Sequence, residues 1–377
     1  MQKINIKNSN GVKLIYCTSI AFSDKLAHRV QIAAMAREFQ KKLGENFYLG
    51  VNYINQDDKN IKIVCFNDAK SYSLSWKYLK FIKKNKIDFV YCREAKLLFF
   101  IILYNKLWWH MNLKFIYEIH ALLARNLIDS LMDKALSFWV DKFIFVTKNL
   151  QQRFSKKYRI NIAITIVCPD AVDLTIFNLS LSKQQARQQI DLPLDKKILV
   201  YTGKFKTMEM DKGIADILKS IKVLNDNDIL FVAVGGSDKE IAHYQELTRE
   251  LGVEKMVKLI GFSPQPKLAI FQKAADVLLM PFPYNEHYAF YMSPLKMFEY
   301  MASGRPIVAT DLPSIKEILN DQSSILVRPG DPQRLVRGIK EALKPELSQK
   351  ISQQAFQDVQ NYTWEKRAEK ILKFIQI

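Results

Sequence analysis

The chain has 377 residues, 49% hydrophobic and 25% charged, with 56 Lys and Arg against 38 Asp and Glu. At roughly 100–200 residues per domain that length makes two domains, each able to bury a core, and the composition excludes disordered, collagen-like and disulfide-scaffold classes. Residues 1–178 hold 28 basic and 14 acidic residues and residues 179–377 hold 28 and 24, so most of the net +18 sits in the first half and points to a polyanionic partner there.

In chain order, Val12–Ser19 is a compact apolar run that reads as a buried strand, and residues 27–43 space their apolar side chains as a helix that Gly44 ends. A strand around 47–54, a helix around 73–84 and the strand Asp88–Cys92 follow. An apolar helix over 96–110 leads to the strand Lys114–Ile119, and a helical stretch over 125–139 leads to Lys142–Thr147. The second half repeats the alternation with strands at Lys197–Thr202, Ile229–Val234, Val257–Ile260, Val277–Met280, Ile307–Ala309 and Ser324–Val327. Helices are expected at Gly213–Leu224 and Ile241–Leu251. Such alternation predicts two parallel sheets, each covered by helices, with a ligand cleft between the domains. The polar stretch 174–195 reads as the joint, and 364–376 as a terminal amphipathic helix. The expected domains are 1–178, 179–360 and a terminal helix over 361–377.

Cys17, Cys65, Cys92 and Cys168 are scattered without a CxxC pair, which favours free thiols in a reducing compartment over zinc or disulfides. The first thirteen residues lack the apolar core of a signal peptide. The most apolar run, beginning at Lys96, is broken at Asn105 and Lys106, short of the ~20 residues that span a membrane. The expectation is a cytoplasmic protein.

Neither GxGxxG nor GxxxxGK[ST] occurs, so neither a dinucleotide-binding dehydrogenase nor a P-loop NTPase is supported. The most informative segment is Tyr291–Asp311, YMSPLKMFEYMASGRPIVATD. Ser293 reads as an N-cap, Pro294 as the first helical residue, and Gly304 as the stop. Free amides at the helix start, the helix dipole and Lys296 make an anion site. Glu299 stands about 9 Å further along the axis, which matches the span from a diphosphate to a ribose diol. A capped surface helix with a solvated Glu fits the same residues. Gly203-Lys204-Phe205 ends a strand and Lys212-Gly213 starts the next helix, so two lysines can hold phosphate oxygens opposite those amides.

Together these stretches resemble the retaining glycosyltransferases of family 4, which have the GT-B fold: two Rossmann-like doubly wound α/β domains facing each other across a cleft, with a C-terminal helix crossing back. YTGKF…DKG resembles that family's diphosphate clamp, LIGFSP with AADVLLMPFPY its base-holding segment, and SPLKMFEYMASGRPIVATDLPSIKEIL its donor signature. FIYEIHAL, VTKNLQQRF, PDAVDLTIF and YTWEKRAEKIL fit the remaining pattern. The resemblance implies that Lys204 and Lys212, next to Gly203, neutralise the donor diphosphate. It implies that the amides of Leu295 and Lys296 bind the distal oxygens, that Glu299 accepts from the ribose, and that Phe262 and Pro264 flank the base. It places His120 at the transferred sugar, and Ala27, His28 and Arg93 on the sugar or acceptor side. Tyr291 stands where the commoner signature has its first Glu, a departure that leaves the sugar contact there open.

The implied reaction is retaining transfer from a UDP- or GDP-sugar to a hydroxyl of a saccharide or lipid-linked acceptor, in surface polysaccharide or glycolipid synthesis. The lysine clamp would stabilise the departing diphosphate, so no metal and no cofactor is expected. The first domain's charge, the apolar Leu97–Trp109 stretch and the helix carrying Lys77, Lys80, Lys83 and Lys84 suggest peripheral attachment to the anionic inner membrane face. Two other classes are weighed: a degenerate nucleotide-sugar-binding scaffold, for which Tyr291 speaks, and a basic nucleic-acid-binding protein. The latter is not expected, because the aromatic residues form no recognisable nucleic-acid motif with the basic ones.

Overall fold

A computed structural model describes residues 11–22, 27–54, 58–68, 70–122, 127–207 and 209–377. The chain forms two compact units, Met1–Pro169 with Trp364–Ile377, and Asp170–Thr363.

The first unit is built on seven strands: β1 (Leu14–Cys17), β2 (Phe47–Val51), β3 (Ile63–Cys65), β4 (Phe89–Cys92), β5 (Lys114–Ile119), β6 (Lys142–Phe145) and β7 (Thr165–Val167). They pair in the order β3-β2-β1-β4-β5-β6-β7, all parallel. LIYC of β1 and FYLGV of β2 are buried throughout, as continuous apolar strands must be when helices cover both faces of a sheet. The strand order reverses between β1 and β4, so their carboxyl ends border the crevice where ligands of such sheets bind.

The second unit adds β8 (Lys197–Thr202), the short hairpin β9 (Lys206–Thr207) and β10 (Met210–Asp211), then β11 (Ile229–Gly236), β12 (Val257–Gly261), β13 (Val277–Met280), β14 (Ile307–Thr310) and β15 (Ile325–Val327). Its six-stranded parallel sheet has the order β12-β11-β8-β13-β14-β15. The reversal here lies between β8 and β13. Gly203 and Lys204 follow the first of these strands and Pro281 the second, so the sheet itself brings the lysine segment to a ligand crevice.

Three local expectations change. The polar stretch 174–195 is no linker: it folds as the helices Leu174–Phe177 and Lys183–Gln189. A reciprocal Ser182–Gln185 capping box starts the second helix, and buried Arg187 donates to Asp276 at 2.6 Å. The units divide at Pro169/Asp170 rather than after 178, because Val172 and Phe177 pack into the second unit's core and Val172 N donates to Tyr362 O. The other division falls after Thr363 rather than after 360.

The donor-signature helix runs Leu295–Ser303, with Pro294 at the N-cap instead of the first helical position. Ser293 caps nothing there: its hydroxyl accepts from Asp170 N at 2.9 Å, which holds the start of the second unit. Gly304 does end the helix, in the left-handed conformation at φ 67°.

The terminal helix Trp364–Ile375 belongs to the first unit. Lys42 of the Ala27–Leu43 helix meets Glu369 at 2.7 Å, and Arg367 reaches inward to Glu118 at 2.8 Å.

Candidate active site

At the end of β8 the chain turns through Gly203 at φ +103°, and a Cβ there would crowd Lys296 Cε at 3.3 Å. Lys204 follows, exposed, and its carbonyl accepts from the buried Tyr201 hydroxyl at 2.8 Å. After the β9–β10 hairpin, Lys212 N donates to Phe205 O at 3.0 Å and Gly213 N to Asp211 Oδ1. Gly213 sits at φ +97°, where a Cβ would come within 2.0 Å of Pro281 O. Only glycine lets this turn pass so close under β13's end, and that fixes where Lys212 stands. Burial, and then the nearby Lys204, push the Lys212 ammonium down to about 8, with Glu240 opposing.

Lys296 lies in the first turn of the Leu295–Ser303 helix and is itself buried. Among the described residues its Nζ meets no hydrogen-bond partner; it lies 3.4 Å from the Tyr201 ring centroid and 5.6 Å from that of Phe282. Burial and the positive charge of Lys212 hold it well below the ordinary lysine value. Three ammonium groups that disfavour one another, around a helix N-terminus, form a site whose charge an anion would balance.

One turn further, Glu299 is buried beside Gln272, whose Nε2 donates to Glu299 Oε2 at 3.2 Å and to Thr202 Oγ1 at 3.0 Å. Burial raises its carboxyl to about 7, against hydrogen bonds from Gln272 and Gln265 and the charge of Lys296. Gln265 opens the helix that Pro264 caps, so Pro264 is the immediate neighbour of a Glu299 partner, while Phe262 stands exposed on the loop before it. Tyr291 ends a π-turn, His287–Tyr291, buried with its hydroxyl donating to Glu286 at 2.5 Å. Gly203, Lys204, Lys212, Lys296, Glu299 and Pro264 thus gather at the β8/β13 end of one sheet. Two side chains there were missed by sequence reasoning. Gln272 sits in a helix interior where no motif marks it. His287 has a buried Nδ1 without a partner among the described residues, and burial and Lys212 lower its imidazole.

A second group belongs to the first unit. His120 directly follows β5, and Arg93 follows β4 and donates to Gln31 at 3.0 Å. His120 Nε2 lies 2.6 Å from Glu118 Oε1, and burial, then the charge of Arg93, takes the imidazole down to about 4 against the pull of the Glu118 carboxylate, so it is neutral at pH 7. Glu118 is buried and also accepts from Tyr91 OH and Arg367. Burial alone would raise its carboxyl, but the Arg367 guanidinium and His120 hold it well below the usual carboxylate range. Ala27 and His28 open the Ala27–Leu43 helix, and their side chains lie outside the described residues.

Among the described residues no group of three or more His, Cys, Asp or Glu is placed to hold a metal ion. The paired carboxylates of Asp226-Asn227-Asp228 lie in the turn before β11. There Asp228 O accepts from Lys197 N at 2.7 Å, at the opposite end of the sheet from the lysines.

Residues 182–358 match the family model described as glycosyl transferases group 1. This stretch is similar to the glycosyl transferases group 1 family. It contains every residue of the lysine and Glu299 site. Over 219 residues the chain is 26% identical to the D-inositol 3-phosphate glycosyltransferase of Corynebacterium diphtheriae, covering 55% of this chain and 49% of that one. The chain spans about half the length of the curated relatives it matches. The crystal structure of a glycosyltransferase from Rickettsia africae ESF-5 superposes with a TM-score of 0.78 at 16% identity, over 97% of this chain and 98% of that one. Anabaena Alr3699/HepE, solved in complex with UDP, does so at 0.77 and 16%, over 97% and 100%. At such identities these likenesses establish the fold, two Rossmann-like GT-B units, and the matched stretch lies in the second of them.

Proposed function

We propose that this protein is a family 4 retaining glycosyltransferase that moves a sugar from a nucleoside diphosphate sugar to an acceptor hydroxyl, without a metal ion. The observation that carries the reading is Lys296, a buried ammonium with no hydrogen-bond partner among the described residues, set beside Lys212 at the β8/β13 crevice. Taking a charge out of water costs free energy unless a counter-charge meets it, and a diphosphate is that counter-charge. Lys204 and Lys212 would take the other side of the diphosphate, and the amides of Leu295 and Lys296 its distal oxygens. Glu299 would accept from the ribose hydroxyls, with the base against Phe262 and Pro264.

As the bond from the anomeric carbon to the diphosphate oxygen breaks, negative charge grows on the leaving group, and these fixed positive groups stabilise it there. The acceptor hydroxyl attacks from the face the diphosphate leaves and gives its proton to a departing phosphate oxygen, which conserves configuration without a protein base. Tyr291 offers no carboxylate to the sugar; His120 would meet the sugar, and Arg93 and the Ala27–His28 start of the Ala27–Leu43 helix would lie on the sugar or acceptor side.

HepE is known with UDP and with UDP-glucose, which makes UDP-sugars the first donors to test. Thermal unfolding with UDP, GDP and ADP reads the site directly: ligand at 100 times its Kd adds about 2.7 kcal/mol. A shift with one nucleotide, abolished in Lys296→Met, is expected; no shift with any nucleotide would overturn the reading.

The acceptor is a saccharide or lipid-linked saccharide met at an anionic membrane face. No helix among the described residues is long and apolar enough to cross a membrane. The support is a connected aromatic surface on the first unit. Trp76 touches Tyr104, Trp108 and Trp109, with centroids 5.3–6.0 Å apart, and Lys83 lies over Trp109 at 5.3 Å. Leu107 and Trp108 are more than half exposed. Neither the Ser71–Asn85 helix nor the segment from Ala95 to Trp109 contains an acidic residue. Aromatic rings beside a helix that carries lysines and no acidic residue suit the headgroup layer of anionic lipid. Flotation with phosphatidylglycerol vesicles at low salt should capture the protein and lose it in Trp108→Ser. Absence of capture would remove the membrane from the proposal.

A further inference from the structure

The network behind His120 has features that a packed, satisfied histidine does not need. Glu118 and Arg367 are each 3% exposed, and they meet through Arg367 Nη2 and Glu118 Oε1 at 2.8 Å. The same Oε1 lies 2.6 Å from His120 Nε2, while the other oxygen accepts the Tyr91 hydroxyl. Arg367 is itself held by the carbonyls of Pro169 at 2.9 Å and Cys168 at 3.3 Å, just past the end of β7. Two sequence-distant pieces, β5 and the terminal helix Trp364–Ile375, therefore meet on one carboxylate, and the side chain that carboxylate orients is His120.

A carboxylate ionised by a buried guanidinium can only accept hydrogen bonds. The imidazole nitrogen facing it must then carry the proton, and the other nitrogen must be the lone-pair acceptor. Among the described residues, the charged groups that act on the histidine are Arg93 after β4, Glu118 on β5 and Arg367 on the terminal helix, while Tyr91 on β4 and Tyr16 on β1 act on Glu118. Two guanidinium groups oppose one carboxylate, so a second proton on the ring is disfavoured across the neutral range.

We propose that Glu118 and Arg367 are positioning residues of the transferase site: together they lock His120 in the Nε2–H tautomer, leaving Nδ1 to accept from a hydroxyl of the transferred sugar. This rests on the proposed function, in that His120 meets the sugar. It gives the terminal helix a part in the site, since Arg367 fixes the charge of Glu118 and Glu118 fixes the ring. A group that must accept in one orientation gains from being held there before the substrate arrives.

Nitrogen-15 histidine NMR on the full-length protein, with His120 assigned by His120→Gln, tests this without any substrate. Wild type should show protonated Nε2 and bare Nδ1 between pH 5.5 and 8. In Glu118→Gln, whose amide can donate or accept, the ring should become a mixture of tautomers. Sugar transfer should fall between about 10- and 100-fold in kcat, with the KM for donor within about threefold and calorimetric UDP binding unchanged. Arg367→Lys, which keeps the charge, should retain the wild-type tautomer even if it is less stable.

A wild-type ring protonated on Nδ1 would overturn the proposal whether or not Glu118→Gln folds. So would a folded Glu118→Gln with unaltered tautomer and kcat. Nucleotide binding is read separately, so a failure of the transferase reading shows as absent UDP binding with the tautomer result intact.

Discussion

Replacing Glu299 with Gln probes the proposed donor site through its own electrostatics. Glu299 is buried in the Leu295–Ser303 helix, and that burial raises its carboxyl from 4.5 to about 7. At about 1.4 kcal/mol per unit of pKa, keeping it ionised above pH 7 costs the folded state about 3 kcal/mol. The folded protein binds this proton more tightly than the unfolded chain does. Wild-type stability therefore falls as pH rises from about 4.5 to about 7 and stays lower above that. Gln keeps the shape and can still meet Gln272 and Gln265, but it carries no charge. In differential scanning calorimetry the variant and wild type should unfold together near pH 4.5. At pH 8 the variant should unfold about 6–12 °C higher, at ~2–4 °C per kcal/mol for a unit of this size. It should also have lost affinity for the nucleoside diphosphate, because an acceptor for the ribose diol is gone. A gap that does not widen between pH 4.5 and 8 refutes the burial argument. A stabilised variant that binds nucleotide as tightly as wild type refutes the ribose assignment.

Lys296→Met should raise the stability of the ligand-free protein, by removing a buried ammonium with no hydrogen-bond partner among the described residues, and weaken UDP or GDP binding about 10- to 100-fold, as calorimetry would read. Nucleotide affinity should be bell-shaped in pH. It rises as Glu299 ionises near 7 and falls as Lys212 loses its proton above about 8, so Glu299→Gln flattens the acid limb and Lys212→Met the alkaline one. Gly213→Ala should destabilise well beyond about 1 kcal/mol in urea titration, since its Cβ would meet Pro281 O at 2.0 Å. Gly304→Ala, at φ +67° with open space around its Cβ, should cost only about 1 kcal/mol.

Much of the fold was legible because parallel strands buried on both faces need unbroken apolar runs. LVYT of β8 and VLLM of β13 declare themselves without any partner in view. The donor segment was legible for a different reason: a helix start, a lysine beside it and a Glu almost two turns on are local geometry, fixed by 1.5 Å of rise per residue. Local rules also misled. Ser293 before Pro294 has the form of a cap, yet its hydroxyl is taken by Asp170 N, a partner 123 residues away. The polar run 174–195 looks like a linker, but Asp276 pairs with Arg187 and Lys183 and ties that run into the second unit.

By itself, the sequence determined two doubly wound units, the charge imbalance between them, and the residues that gather at the β8/β13 crevice. Only the tertiary structure decided that Lys296 is enclosed with no hydrogen-bond partner among the described residues. It also revealed Gln272 beside Glu299, and the buried carboxylate that links His120 to Arg367 of the terminal helix. The physical reason is that charge and spacing are written along the chain, whereas desolvation is not. A lysine on a helix reads the same whether water or a tyrosine ring lies over it, and only the packed neighbours, Tyr201 and Phe282 here, settle which.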